Sequence, residues 1–266
     1  MIVEVREPGI YDTGVHPEVT VIAFCRGSAG EFFRDDRFPN LKELRCDRNG
    51  LTELKLNCPS LQKLFCAHNH LRNLKLNCPA LQVLNCEDNK LTELKMKCSS
   101  LVSLNCDYNK LTNLELNAEL LSNGTSGPNI RCRSLEEMSC LVNRLRILEL
   151  ECPSLRSLDC SINKLTRLEL NCCPSLQRLE CSNNRLTKLD LNCPSFERLE
   201  CFNNRLTELK LDSPLFRWLH CTNSGLTNLN GLEFCEGLEV VCCSKILRES
   251  TEILNVHLPD LRVLFE

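Results

Sequence analysis

Residues 61–80 read LQKLFCAHNHLRNLKLNCPA. Leu61, Leu64, Cys66, Asn69, Leu71, Leu74 and Leu76 stand at spacings that recur every 20 residues around the frame LxxLxCxxNxLxxLxLxCPS. A fixed period of this length marks an array of stacked units and is read before anything else. The opening leucine returns as Leu41, Leu81, Leu101, Leu135, Leu155, Leu176 and Leu238, with Phe196 and Phe216 in the same place. A cysteine column runs Cys46, Cys66, Cys86, Cys106, Cys140, Cys160, Cys181, Cys201, Cys221 and Cys243. An asparagine column runs Asn49, Asn69, Asn89, Asn109, Asn143, Asn163, Asn184 and Asn204. These registers make ten coils, with Leu261 and Leu264 opening a partial eleventh.

The spacing carries its own geometry. Leu64 and Cys66, two residues apart, point to one side of a short strand. Stacked coils pair such strands into a parallel sheet with a spacing of about 4.8 Å. A lone coil cannot bury its leucines, so each covers its neighbour. The second half of each unit, as in Leu51, Leu54 and Leu56, repeats the same apolar spacing. It is too short and too broken by proline for a regular helix, so extended or short 3₁₀ segments are expected there.

On these residues the chain resembles the leucine-rich repeat family over roughly 41–264, with cysteine in the last apolar place of the family's LxxLxLxxN. The nested second half resembles the short subclass called IRREKO-type, met in bacterial and some viral and protist proteins. The resemblance implies a right-handed, curved solenoid. It would be mainly β, with one long parallel sheet on the concave face, extended or 3₁₀ segments on the convex face and little α-helix. It also implies a structural role for the asparagine column, whose amides satisfy backbone groups at the bend after each strand. Families with 20-residue units include secreted effectors carrying a ubiquitin-ligase domain; none is expected within this chain.

Composition fits an array built on one side chain: 42% hydrophobic residues but only 5% aromatic. A net charge of −3 and pI near 6.0 give no global pull towards nucleic acid or acidic membranes, and neither is expected as a partner. Charges at Glu4, Arg6 and Glu7 interrupt any signal-peptide core. No stretch reaches the roughly 18 apolar residues of a membrane span. The 21 cysteines contain no CxxC pair and follow the repeat. A second column, Cys58, Cys78, Cys98, Cys132, Cys152, Cys173, Cys193 and Cys235, precedes the next strand. Both columns read as reduced packing thiols in a cytoplasmic protein, inside a host cell if the source is a virus or pathogen. No cofactor or metal is expected.

Three regions depart from the frame. Residues 1–40 are expected to cap the first coil, with strands at Ile2–Val5 and in the run Val19 to Cys25. Repeats fill 41–243, interrupted at 118–131 by a loop rich in Gly, Ser, Asn and Pro. Residues 244–266 form a C-terminal cap, with a short helix expected from Ser244 to Leu254 and a last strand after Leu258-Pro259.

Most residues that look chemical dissolve into the repeat. Ala67-His68-Asn69-His70 spells an HNH-like string, but its asparagine belongs to the column and no partner cluster accompanies it. Asp159, Glu180 and Glu200 fall in one outward column, where paired carboxylates are a glycosidase device. An open sheet encloses no pocket, so an acidic binding stripe is the better reading. Lys90, Lys110, Arg144, Lys164, Arg185 and Arg205 follow the asparagines and read as solvated heads on stems that shield the leucine edge.

Apolar residues at outward positions are more informative: Phe65, Tyr108, Leu141, Val142, Ile162, Phe202 and Trp218. The site expected from this reading is a non-enzymatic protein- or peptide-binding strand face. It centres on Tyr108, Leu141, Val142 and Ile162, with Asp159, Glu180, Glu200, Phe202, Trp218 and His220 beside them. Two alternatives stand beside it: a substrate-recognition subunit of a ubiquitin-ligase-type complex, and a structural or self-assembling repeat protein. The chain itself is expected to be a monomer or weakly self-associating.

Overall fold

The computed structural model describes residues 2–5, 15–24, 38–117, 129–170, 172–211 and 213–266. The chain divides into two compact units, Met1–Leu135 and Glu136–Glu266. In both, each 20-residue turn lays down a short front strand, bends, and returns through a back segment.

In the first unit the front strands are Ile2–Val5, Val21–Phe24, Glu43–Arg45, Lys63–Phe65, Val83–Asn85 and Ser103–Asn105. All pair in parallel, and the repeat sets the register: Leu44, Leu64, Leu84 and Leu104 stand side by side. Behind them Glu53–Leu56 pairs with Asn73–Leu76, and Glu93–Met96 with Asn113–Leu116. The expected loop leaves this back ladder and rejoins it, since Ile130 pairs with Leu116 and the Asn117 amide donates to the Arg131 carbonyl at 2.9 Å. Residues 118–128 themselves lie outside the described residues, as does Cys25 at the end of the expected second cap strand.

The second unit repeats the plan. Its front strands are Glu137–Ser139, Ser157–Asp159, Arg178–Glu180, Arg198–Glu200, Trp218–His220, Val240–Cys243 and Arg262–Phe265. Behind them Ile147–Glu151 pairs with Arg167–Glu169, and Lys188–Leu191 with Glu208–Leu211. The back ladder then gives way to 3₁₀ turns at Leu232–Phe234 and Lys245–Leu247 and a helix over Arg248–His257. The sequence places the end of that helix at Leu254, one turn short. Leu254 and Thr251 are buried and hold the helix on course, and it stops where Pro259 disfavours helical backbone at Leu258.

The front strands from Glu43–Arg45 to Trp218–His220 are only three residues long because the frame bends the chain immediately after them. The residue before each column asparagine, and Asn223 at the same place before Ser224, takes left-handed backbone: Arg48, His68, Asp88, Tyr108, Val142, Ile162, Asn183, Asn203 and Asn223 all have φ between 49° and 59°. The asparagine then secures the bend. In the first unit the Asn69 amide donates to the carbonyls of Cys46, Cys66 and Ala67 at 2.9–3.1 Å, while its Oδ1 accepts from the Asn49 and Leu51 amides. In the second, Asn184 and Asn204 do the same one coil back. Ser224 replaces the asparagine in the next coil, and its main-chain carbonyl takes the Leu206 amide at 2.6 Å. That substitution demands Gly225, whose φ is +94° and where a Cβ would stand 2.9 Å from the Leu206 carbonyl oxygen.

The core of each unit is a set of stacked leucine rows closed by the two cysteine columns. Phe196 and Phe216, standing in for leucine, stack at 5.8 Å between ring centres. Among the described residues every cysteine except Cys172 is buried, and all are free thiols. Burial raises the thiol of Cys193 to about 11 and that of Cys201 to about 12, far from the reactive range. They behave as small apolar fillers.

Candidate protein-binding face

Strand alternation decides which side chains reach the front surface. In Arg178–Glu180 the middle leucine points into the core, so Arg178 and Glu180 point out. The register places Asp159, Glu180 and Glu200 directly beside one another, and continues the column through His220 to Cys242. The neighbouring outward column runs Ser157, Arg178, Arg198, Trp218 and Val240.

Like charges directly opposite on adjacent strands repel. Arg198 answers Glu200 at 2.8 Å, and the Asp159 carboxylate accepts the Ser161 amide at 2.9 Å. Glu180 between them remains strained: burial, followed by the charges of Asp159 and Glu200, holds its carboxyl above the usual carboxylate range, against the pull of Arg198 and Arg178. Three aligned carboxylates thus stand beside the two guanidiniums of Arg178 and Arg198.

An aromatic group borders this stripe. The Phe202 ring stacks on His220 with centres 4.6 Å apart, and Trp218 meets His220 edge-on at 5.8 Å. The Arg198 guanidinium lies 3.9 Å from the Trp218 ring centre, a cation–π contact that residue spacing alone does not reveal. Phe202, Trp218 and His220 are each half-buried, so one surface of the cluster faces solvent.

Of the remaining expected residues in the second unit, Leu141 and Val142 are half-buried at the bend, and Ile162 beside them is 47% exposed. Val142 and Ile162 occupy the left-handed column, where β-branched side chains are most strained; the next three coils use asparagine there. The sequence showed their apolar character but not this backbone cost. In the first unit, Tyr108 holds the same left-handed position and is 49% exposed, while Phe65 lies half-buried under Arg45 at 4.8 Å. His68 pairs there with Asp88 at 3.0 Å, which gives the HNH-like string an ordinary surface role. The basic residues Lys90, Lys110, Arg144, Lys164, Arg185 and Arg205 are all exposed. A cleft in the second unit lies on the other side, where the back ladder ends between Leu209, Leu211 and Leu232.

No protein-family profile and no curated protein matches the chain. Solved structures do. YopM from Yersinia enterocolitica WA-314 superposes with a TM-score of 0.62 at 25% identity, over 87% of this chain and 52% of that one. The leucine-rich repeat domain of APL1B gives 0.65 at 18% identity, over 98% and 85%. A leucine-rich repeat protein from Bacteroides eggerthii DSM 20697 gives 0.66 at 16% identity, over 94% and 53%. The chain has the leucine-rich repeat fold. It spans about half the length of the YopM and Bacteroides chains that it resembles. Within the leucine-rich repeat frame, the outward columns vary freely while the inward ones fix the fold. The charged and aromatic face of the second unit is written in the variable columns.

Proposed function

We propose that this leucine-rich repeat chain is a non-enzymatic interaction module whose second unit binds a protein or peptide across its front strands. The supporting observation is the in-register column Asp159–Glu180–Glu200, abutting the Phe202–His220–Trp218 cluster. A solenoid can place any residue in these columns at little cost, yet here three carboxylates are aligned at the expense of mutual repulsion. A ligand with lysine or arginine opposite Glu180 relieves that repulsion, and an apolar side chain beside it covers the aromatic cluster. The bend residues Leu141, Val142 and Ile162 extend the apolar margin of the same unit.

The test is selection from a random peptide display library on the wild-type chain. Selected sequences should pair a basic residue with an aromatic or aliphatic one, and their affinity should fall with salt. Glu180→Gln should weaken them by several-fold and Trp218→Ala by about tenfold or more, the range of an interface anchor. Peptides that bind both variants like the wild type would sink the site assignment. Trp218 is the single tryptophan, so its fluorescence reports occupancy directly.

A further inference from the structure

The outward column that begins with the carboxylates ends differently. His220 stands beside Cys242, and Cys242 beside Leu264, on three successive strands. Glu266, two residues past Leu264, returns to the same face. The imidazole, thiol and carboxylate donor atoms of His220, Cys242 and Glu266 all lie within 4.8 Å of one another. His220 Nε2 is buried and makes no hydrogen bond; Glu266 Oε2 stands 3.6 Å away. A buried ring nitrogen without a hydrogen bond is a departure that asks for a cause. The ring is not free to turn aside, because Phe202 stacks against its face and Trp218 meets it edge-on.

From this geometry we infer that His220, Cys242 and Glu266 form a three-ligand site for a divalent transition-metal ion, zinc by ligand chemistry. One imidazole nitrogen, one sulfur and one carboxylate oxygen are the donor types zinc accepts. The sulfur disfavours calcium and magnesium, which take oxygen. Zinc bonds of about 2.0–2.3 Å in tetrahedral array set donors roughly 3.3–3.8 Å apart. The Nε2–Oε2 separation already fits. The remaining separations, all within 4.8 Å, close with about 1 Å of movement shared among the three side chains. Thr222 Oγ1, 3.7 Å from Cys242 Sγ, is placed to donate to the thiolate as an outer partner. On binding, the Cys242 S–H bond breaks and its proton leaves to solvent. The sulfur and His220 Nε2 lone pairs and one Glu266 oxygen then form the metal bonds, leaving a fourth position to water or a ligand atom.

Cobalt(II) added to the reduced full-length chain tests this without any binding partner. One equivalent should raise a thiolate-to-cobalt charge-transfer band in the near ultraviolet, and one equivalent of zinc should bleach it. The band should vanish in Cys242→Ser and persist in Cys172→Ser, which removes the exposed thiol. Glu266→Gln, at an exposed side chain that cannot unfold the chain, should lower affinity by at least the ~10–100-fold that loss of an outer partner costs. If Cys242→Ser fails to fold, the Glu266→Gln titration decides. Absence of the band, its survival in a folded Cys242→Ser variant, or unchanged affinity in Glu266→Gln would overturn the assignment and leave only a close His220–Glu266 contact.

Discussion

Replacing Asn184 by alanine removes four hydrogen bonds at once, and they differ in cost. The side chain is 8% exposed. Its Oδ1 accepts the Leu165 amide at 2.9 Å, and its Nδ2 donates to the carbonyls of Cys160, Cys181 and Ser182 at 3.0, 3.1 and 3.3 Å. All three carbonyls keep a donor: Asn163 still reaches Cys160, Asn204 still reaches Cys181, and the Ile162 amide still reaches Ser182. The Leu165 amide belongs to a fully buried residue, and alanine offers it nothing. A buried unsatisfied group costs about 1–3 kcal/mol, and each shared bond lost adds a fraction of that. The expected destabilisation is therefore about 3 kcal/mol, a large part of the ~5–15 kcal/mol of a typical domain. Asn184→Asp should be worse than alanine, since it turns a carboxylate towards three carbonyl oxygens. Urea unfolding measures the total, and native-state hydrogen exchange at the Leu165 amide locates it. A loss under about 1 kcal/mol, or unchanged exchange at Leu165, would refute the account of the ladder as a device for satisfying buried backbone.

Two further outcomes follow from the front face. Burial and its acidic neighbours raise the Glu180 carboxyl, so protonation favours the folded state. Its contribution is full below the ordinary carboxylate range and is lost as pH rises through the raised value. Glu180→Gln should then melt about a degree higher than wild type at pH 7, solvent having screened most of the repulsion, and equally near pH 3. A melting point lowered at pH 7 would contradict this. At the bend, Ile162→Asn should relieve left-handed strain of about 1–2 kcal/mol, while the half-exposed side chain returns no more than about 1 kcal/mol of lost burial. A net stabilisation of several tenths of a kcal/mol in urea melts is expected, together with weaker peptide binding; clear destabilisation would show that Ile162 serves packing.

The periodic parts of this molecule were legible because they are enforced twenty residues apart by the same two physical demands, leucine burial and satisfied backbone at the bend. Leu64 beside Leu84, and Asp159 beside Glu180, follow from counting alone. What counting could not supply is anything decided by rotamer or by φ. Arg198 could have reached for Glu197 or Glu200; its guanidinium spreads over Trp218 while also meeting Glu200. Val142 and Ile162 looked only apolar, and the sequence held no sign that their backbone is left-handed, because the same position accepts arginine, aspartate and tyrosine elsewhere. The His220, Cys242 and Glu266 grouping escaped notice for another reason. Cys242 sits one place before the column cysteine, Cys243, and Glu266 lies past the last recognisable leucine, so neither belonged to a named column.

The asparagine bonds all point one way along the chain. Asn184 reaches back to Cys160 and Leu165, and Asn204 back to Cys181 and Leu186. A coil is thus finished by its successor and not by itself. On the ribosome, the Leu165 amide has no acceptor until residue 184 has left the exit tunnel, so closure of each turn trails synthesis by one whole period. Such a chain grows like brickwork in which every course is pointed only when the next is laid, and a pause in translation leaves a single unfinished turn at the growing edge.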